Sequence, residues 1–190
     1  ATRKSRESFG KPKPKQDALL REQLPAWFAA VRKIGSPVIS AYLQTLLLTG
    51  ARPGEVLTMR WEDVNMQWRG ITIRDKVEGD RVIPMPDYLR QLLNSLPRRN
   101  EWVFASTRTV SMDPANIKRR ERRAQGNGKQ MALGDVLQAS ESGRIAEPRS
   151  QHMDACIVAG IEPVTLHGLR RSFKSLSEWL ELPAGVVAQI

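Results

Sequence analysis

The feature that most constrains this chain is "PVISAYLQTLLL", residues 37 to 48, a stretch that is apolar on nearly every face. Its length suits a helix rather than a strand, and a helix apolar all round belongs at the centre of a domain, with other elements packed about it. Immediately afterwards comes "TGARPGEV", which sets a bare arginine, Arg52, between two greasy segments. A guanidinium held there must meet something, because leaving it buried and unpaired is expensive. The partner is either internal or a ligand.

The surrounding periodicities give the rest of the architecture. Residues 1 to 16, with lysines alternating around Pro12 and Pro14, have almost nothing to pack and read as a basic linker or arm. Residues 17 to 190 read as the domain proper. Its first part is a short helical segment followed by a helix opened by Pro25 and closed by Gly35. From Arg69 the pattern turns from helical to alternating: Ile71 and Ile73, then Val82 and Ile83, flank a turn near Glu78 and Gly79, the signature of a hairpin. "DYLRQLLNSLP" returns to helix, "EWVFAS" is expected to add a short third strand, and "PRSQHMDACIVAG" and "LHGLRRSFKSLSEWLEL" are helical again. The expected class is mainly α with a small antiparallel sheet, α+β, and the 112 to 150 region is the least legible part.

Composition narrows the partner. Lys plus Arg number 30 against 20 Asp plus Glu, a formal charge of +10, which draws polyanions and speeds encounter with them. Nucleic acid leads, with an anionic membrane surface or an acidic protein behind it. No apolar run approaches the roughly 20 residues needed to span a bilayer. The single cysteine, Cys156, forms no internal disulfide, which fits a cytoplasmic protein. His152 and Cys156 stand at i and i+4, half of a zinc site, but four ligands are wanted and no metal is expected. "TGARPGE" lacks the Lys-Ser/Thr pair of a nucleotide-binding phosphate loop, so an ATPase is not expected. Of the five tryptophans, Trp68 is the one expected at the surface.

Three charged positions carry the chemistry. Arg52 precedes Pro53, which biases it away from helical geometry and fixes it at a bend; Glu55 is near enough to orient it or to neutralise it as an internal pair. "HGLRR" puts His167 and Arg170 at i and i+3, on one face of a helix whose other face carries Leu166, Leu169 and Phe173. Together they suit a phosphate, the arginine fork binding two oxygens and the imidazole donating a hydrogen bond or moving a proton; the alternative makes His167 a cap and Arg170 a surface charge. Lys76 lies near the tip of the hairpin, where charge commonly serves solubility, unless the tip folds over a groove.

Taken together these residues resemble the catalytic domain of a tyrosine recombinase, or phage-type integrase. The family's "A-R-x-x-E" is matched by Ala51, Arg52 and Glu55, its hairpin lysine by Lys76, the strand ending "IP" by Ile83 and Pro84, and its "H-x-L-R-R" by His167 to Arg171. The resemblance implies DNA cleavage and rejoining through a 3′-phosphotyrosyl intermediate, without metal or nucleotide. Arg52 and Arg170 would hold the non-bridging oxygens of the scissile phosphate, Lys76 would protonate the leaving 5′ oxygen, His167 would assist proton transfer, and Glu55 would support Arg52. It also implies double-stranded DNA as partner, a tetramer on two duplexes, and a bacterial cytoplasmic setting, nucleoid-associated while bound.

The chain departs from the family in one respect. The nucleophilic tyrosine normally follows the "HxLRR" helix by a few dozen residues, whereas Tyr42 and Tyr88, the two tyrosines present, both precede it. The chain therefore reads as C-terminally incomplete, able to bind DNA but not to cut it. Lys118, Arg119, Arg120, Arg122, Arg123 and Arg171 are candidates for contacts with the DNA backbone. The alternative from another class is a non-catalytic DNA-binding or architectural module that uses the same charges only to hold a backbone; an RNA-binding protein is weaker, since no known RNA-binding module is recognisable.

Overall fold

The computed structural model describes residues 17 to 74, 79 to 106 and 143 to 180, together with Arg122. At its centre runs the apolar helix, Pro37–Thr49, which we label α2, after α1, Leu24–Arg32. Ser36 caps α2, accepting a hydrogen bond from the Ile39 N–H, and Pro37 occupies the first turn, where its missing N–H is harmless. Val38, Ala41, Tyr42, Leu43, Leu46 and Leu47 are all buried. The polar residues of α2 are buried too, and most of their bonds lie within the helix: Thr45 and Thr49 donate to the carbonyls of Ala41 and Thr45 at 2.8 and 2.7 Å, and Gln44 donates to Ser40 while its Oε1 accepts from Tyr88.

The other helices pack around it. A short helix α3, Pro53–Leu57, follows one bend after α2, and α4 spans Asp87–Asn94. Later come α5, Arg149–Val158, and α6, Leu166–Trp179. α6 lies along α2, while α5 packs on α1. The α1–α5 contact contains a buried polar bond: Trp27 Nε1 donates to His152 Nε2 at 3.0 Å, both residues almost wholly inaccessible. An indole N–H only donates, so Nε2 is the lone-pair nitrogen and His152 is neutral; burial pushes its pKa down to about 4.

The expected hairpin forms from β2, Gly70–Ile73, and β3, Arg81–Pro84, with Ile73 opposite Arg81 and Ile71 opposite Ile83. The third strand is not the one expected. It is β1, Val64–Asn65, antiparallel to β2, giving the order β1-β2-β3. Asn65 accepts from the Trp68 N–H at 2.8 Å and closes a tight turn over residues 66 to 69, a local side-chain device that alternation does not reveal. Residues 101 to 106 instead make two isolated bridges, Arg60 to Trp102 and Ala105 to Arg144. Trp68, as expected, is 79% exposed.

The short helical segment expected near residue 17 is a single 3-10 turn, Arg21–Gln23, running straight into α1. Ahead of it, residues 17 to 19 are strapped across α6. Leu19 N–H donates to Ser172 Oγ at 2.7 Å, and Thr165 N–H donates to Asp17 Oδ2 at 2.8 Å. Gly168 makes this possible, because a Cβ there would sit 2.7 Å from the Asp17 carbonyl oxygen. The expected linker (1 to 16), the basic segment (apart from Arg122) and the chain end fall outside the described residues.

Candidate phosphate site

The site is built where α2 ends and α3 begins. α2 is terminated by Gly50 in left-handed geometry, φ +62°, its N–H returning to the Leu46 carbonyl at 3.0 Å. Two residues later Arg52 stands in extended geometry at the head of α3, with Pro53 in the first turn. Glu55 supplies one half of a capping box, the N-cap arginine having no acceptor to give the other: its Oε2 accepts from the Arg52 backbone N–H at 2.8 Å, satisfying one of the orphan donors of a helix start. Its Oε1 accepts from Arg52 Nη1, also at 2.8 Å. Glu55 is thus paired with Arg52, the contact that both expected roles, orienting the guanidinium and neutralising it, have in common.

A second guanidinium, from the sheet, joins them. Arg81 Nη2 donates to Glu55 Oε2 at 2.8 Å. Burial alone would raise the Glu55 carboxyl; hydrogen bonds from Arg81 and Arg52 outweigh it and hold the group below its ordinary pKa. One carboxylate thus serves two arginines, so the trio keeps a net positive charge, and the Arg52 side chain is 42% exposed while that of Glu55 is 9%. Nothing in the sequence singles out Arg81, because Val82 and Ile83 are both apolar; in the structure Val82 is 68% exposed and Ile83 2%, so Arg81 shares the inward face with Ile83 and needs a carboxylate there.

The "HGLRR" helix reaches the same bend from far away in sequence. Thr165 is its N-cap, accepting from Gly168 N–H at 3.0 Å, which leaves His167 exposed and not used as a cap. Arg170 Nη1 donates to the Gly50 carbonyl, two residues before Arg52. Phe173, one turn further along α6, packs against Gly50 itself; a Cβ at Gly50 would run into its ring. The adjacent Arg171 goes elsewhere, to the Asp17 carboxylate, with Thr165 Oγ1 3.3 Å away. Burial raises the Asp17 carboxyl, and hydrogen bonds from Thr165 and Arg171 more than reverse this, leaving it below its ordinary value.

A cleft of about 480 Å³ runs between these elements, with Pro53, Thr165, His167 and Arg171 on its wall and α5 contributing Arg149, His152 and Met153. Arg52 and Glu55 are in direct contact and Arg170 reaches the Gly50 carbonyl beside them, while His167 lies on the cleft wall with Pro53 and Arg171. Lys76, Lys118, Arg119, Arg120 and Arg123 lie outside the described residues, and Arg122 is exposed. His152, one half of the zinc pattern, has its Nε2 occupied by Trp27 and 3.7 Å from Cys156 Sγ.

Tyr42 reaches the bend only as a buried structural donor, and Tyr88 lies away from it. Tyr42 is buried and donates to the Pro53 carbonyl at 3.0 Å, and burial, with Glu147's charge, pushes its phenol well above its ordinary pKa. Tyr88 donates to Gln44 and accepts from Arg32 at 3.0 Å. Gln44 lies six residues before Gly50, about 9 Å back along the helix axis.

Residues 18–178 match the model of the phage integrase family. Prophage integrase IntF of Escherichia coli (strain K12) is 41% identical over 181 residues, covering 92% of this chain and 32% of the relative. Among solved structures, XerA recombinase gives a TM-score of 0.61 at 21% identity, covering 95% of this chain and 56% of that one. The integrase from mycobacterium phage Brujita gives 0.63 at 15% identity, with 94% and 49% covered. A lambda integrase tetramer bound to a Holliday junction gives 0.57 at 18%, with 94% and 47%. The chain thus spans about a third of the curated relative and about half of each of these structures.

Proposed function

Because this chain belongs to the phage integrase family, we propose that it is the catalytic segment of a tyrosine recombinase that cuts and rejoins DNA at specific sites. The observation that supports this best is the meeting of two guanidiniums at one bend, Arg170 on the Gly50 carbonyl and Arg52 two residues on. Arg170 also satisfies a carbonyl at the end of α2, a structural role, but a five-coordinate phosphorus with two charged non-bridging oxygens asks for two such arginines side by side.

In this reading the tyrosine oxygen attacks the scissile phosphorus, forming a 3′-phosphotyrosyl bond, and the 5′ oxygen leaves. Lys76 gives that oxygen its proton, and His167, facing the cleft beside Pro53, takes part in moving the proton of the attacking phenol. Rejoining reverses the step: a 5′ hydroxyl attacks the phosphotyrosyl bond, so no nucleotide is consumed. Tyr42 and Tyr88 are both bonded elsewhere, so the reaction uses a tyrosine that these 190 residues do not supply. Duplex DNA is the substrate, with Lys118, Arg119, Arg120, Arg122 and Arg123 touching its backbone; Arg171 is a weaker candidate, since Asp17 engages it. In line with the lambda integrase tetramer on a Holliday junction, four copies would act on two duplexes.

The test is a nicked suicide substrate. The 190-residue segment should bind it without forming a covalent adduct, while the recombinase that carries the segment together with its tyrosine should form one. An adduct on the segment alone, or full cleavage by the recombinase with Arg170→Ala, would reject the reading.

A further inference from the structure

We propose that Arg81 is a positioning residue for the cleavage step, setting through the Glu55 carboxylate where the Arg52 guanidinium stands; this rests on the function proposed above. α3 has five residues, Pro53–Leu57, too few to hold its own orientation. The tie from β3 supplies what the helix lacks. Arg81 Nη2 reaches Glu55 Oε2 at 2.8 Å, the same oxygen that receives the Arg52 backbone N–H, while Oε1 receives Arg52 Nη1.

The sharing has an electrostatic consequence as well as a geometric one. With Arg81 present, one carboxylate faces two guanidiniums and the trio carries a net positive charge. Without it, Glu55 and Arg52 form a neutral pair, both carboxylate oxygens are left to Arg52, and the guanidinium is drawn toward a side chain that is 9% exposed. Arg81 is itself 19% exposed and anchored opposite Ile73 in the sheet, so it acts through Glu55 and does not meet the phosphate. Arg74, at the end of the neighbouring strand, is tied in the same way to Asp63 at 2.7 Å and Glu62 at 2.9 Å, so both strands are fastened where they meet the helical layer.

The experiment compares two suicide substrates in the intact recombinase, one with the natural scissile phosphate and one with a methylphosphonate, which removes the negative charge that Arg52 serves. Arg81→Met, neutral and of similar bulk, should slow single-turnover cleavage of the phosphate up to about 100-fold, the size expected of a misplaced catalytic group. DNA affinity and melting temperature should stay near wild type. On the methylphosphonate the loss should shrink to a few-fold, in parallel with Arg52→Ala, and Arg81→Lys should recover most of the rate on the phosphate. Equal losses on both substrates, or no loss, would overturn the proposal. Were Arg81→Met not to fold, Arg81→Leu, which likewise offers Glu55 neither charge nor donor, is read against the same outcomes. A normal rate for Arg52→Ala on the phosphate would overturn the site reading and the proposal together, whereas the outcomes above overturn the proposal alone, so the two failures are separable.

Discussion

Residues 50 to 55 and residues 165 to 171 deliver one arginine each to the same bend, but they are organised in opposite ways. Arg52 is held by a carboxylate three residues away, inside its own capping box. Arg170 is held by a carbonyl 120 residues away, and its neighbour Arg171 by a carboxylate 154 residues away. The first half of the site is a local motif that needs only a helix start and one strand to steady it. The second half exists only because α6 lies along α2 and residues 17 to 19 lie across α6. Half of the site should therefore survive perturbations that destroy the other half.

The largest effect should come from removing either arginine. Arg52→Ala and Arg170→Ala should each lower the single-turnover cleavage rate of the intact recombinase by about 10²- to 10³-fold, the loss typical of a donor that stabilises charge in a transition state. Folding, followed by circular dichroism, should be unchanged for Arg52→Ala.

Next, Gly50→Ala strikes the hinge between the halves. It places a Cβ in left-handed geometry and against the Phe173 ring, costs of about 1–2 and 1–3 kcal/mol respectively, so about 2–5 kcal/mol in denaturant unfolding. The contact of α6 with α2, and with it Arg170, should be disturbed while the Arg52–Glu55 pair persists. Proteolysis or hydrogen exchange that loosened residues 50 to 55 as much as α6 would break the comparison.

Asp17→Ala should be milder. It removes the partner of Arg171 and of the Thr165 N–H, a loss of about 1–3 kcal/mol, without touching Arg52. Unfolding titrations of this variant and of wild type give the difference directly.

The smallest effect is on pH dependence. Glu55 and Asp17 both have folded pKa values below their unfolded ones, so each contributes stability that is present above the ordinary carboxylate range near pH 4 and is lost as pH falls through the folded value. Stability should decline on acidification below that range. Glu55→Gln and Asp17→Asn should each flatten the decline, as measured by urea midpoints at pH 5 and pH 3.

This asymmetry matches what could be read ahead of the structure. The capping box at 52 to 55, the central helix and the hairpin follow from spacing, because each rests on neighbours within a few residues. The third strand was misplaced because β1 depends on a side-chain turn at Asn65, while "EWVFAS" has alternation without a ladder to join. Arg81 was passed over because a charge beside a turn looks solvated until the strand's inward face is known.

What the sequence determined alone is the set of parts: a helix too apolar to lie at a surface, an arginine fixed before a proline with its carboxylate in reach, and a second arginine one turn after a histidine. Their local geometry is dictated by bonds of short range. What only the tertiary structure decided is what each of two adjacent arginines engages. Arg170 and Arg171 are identical in chemistry and differ by about 100° around the helix. The packing of α6 between α2 and the strap at Asp17 turns one toward Gly50 and the other toward a carboxylate, and packing is a property of the whole chain.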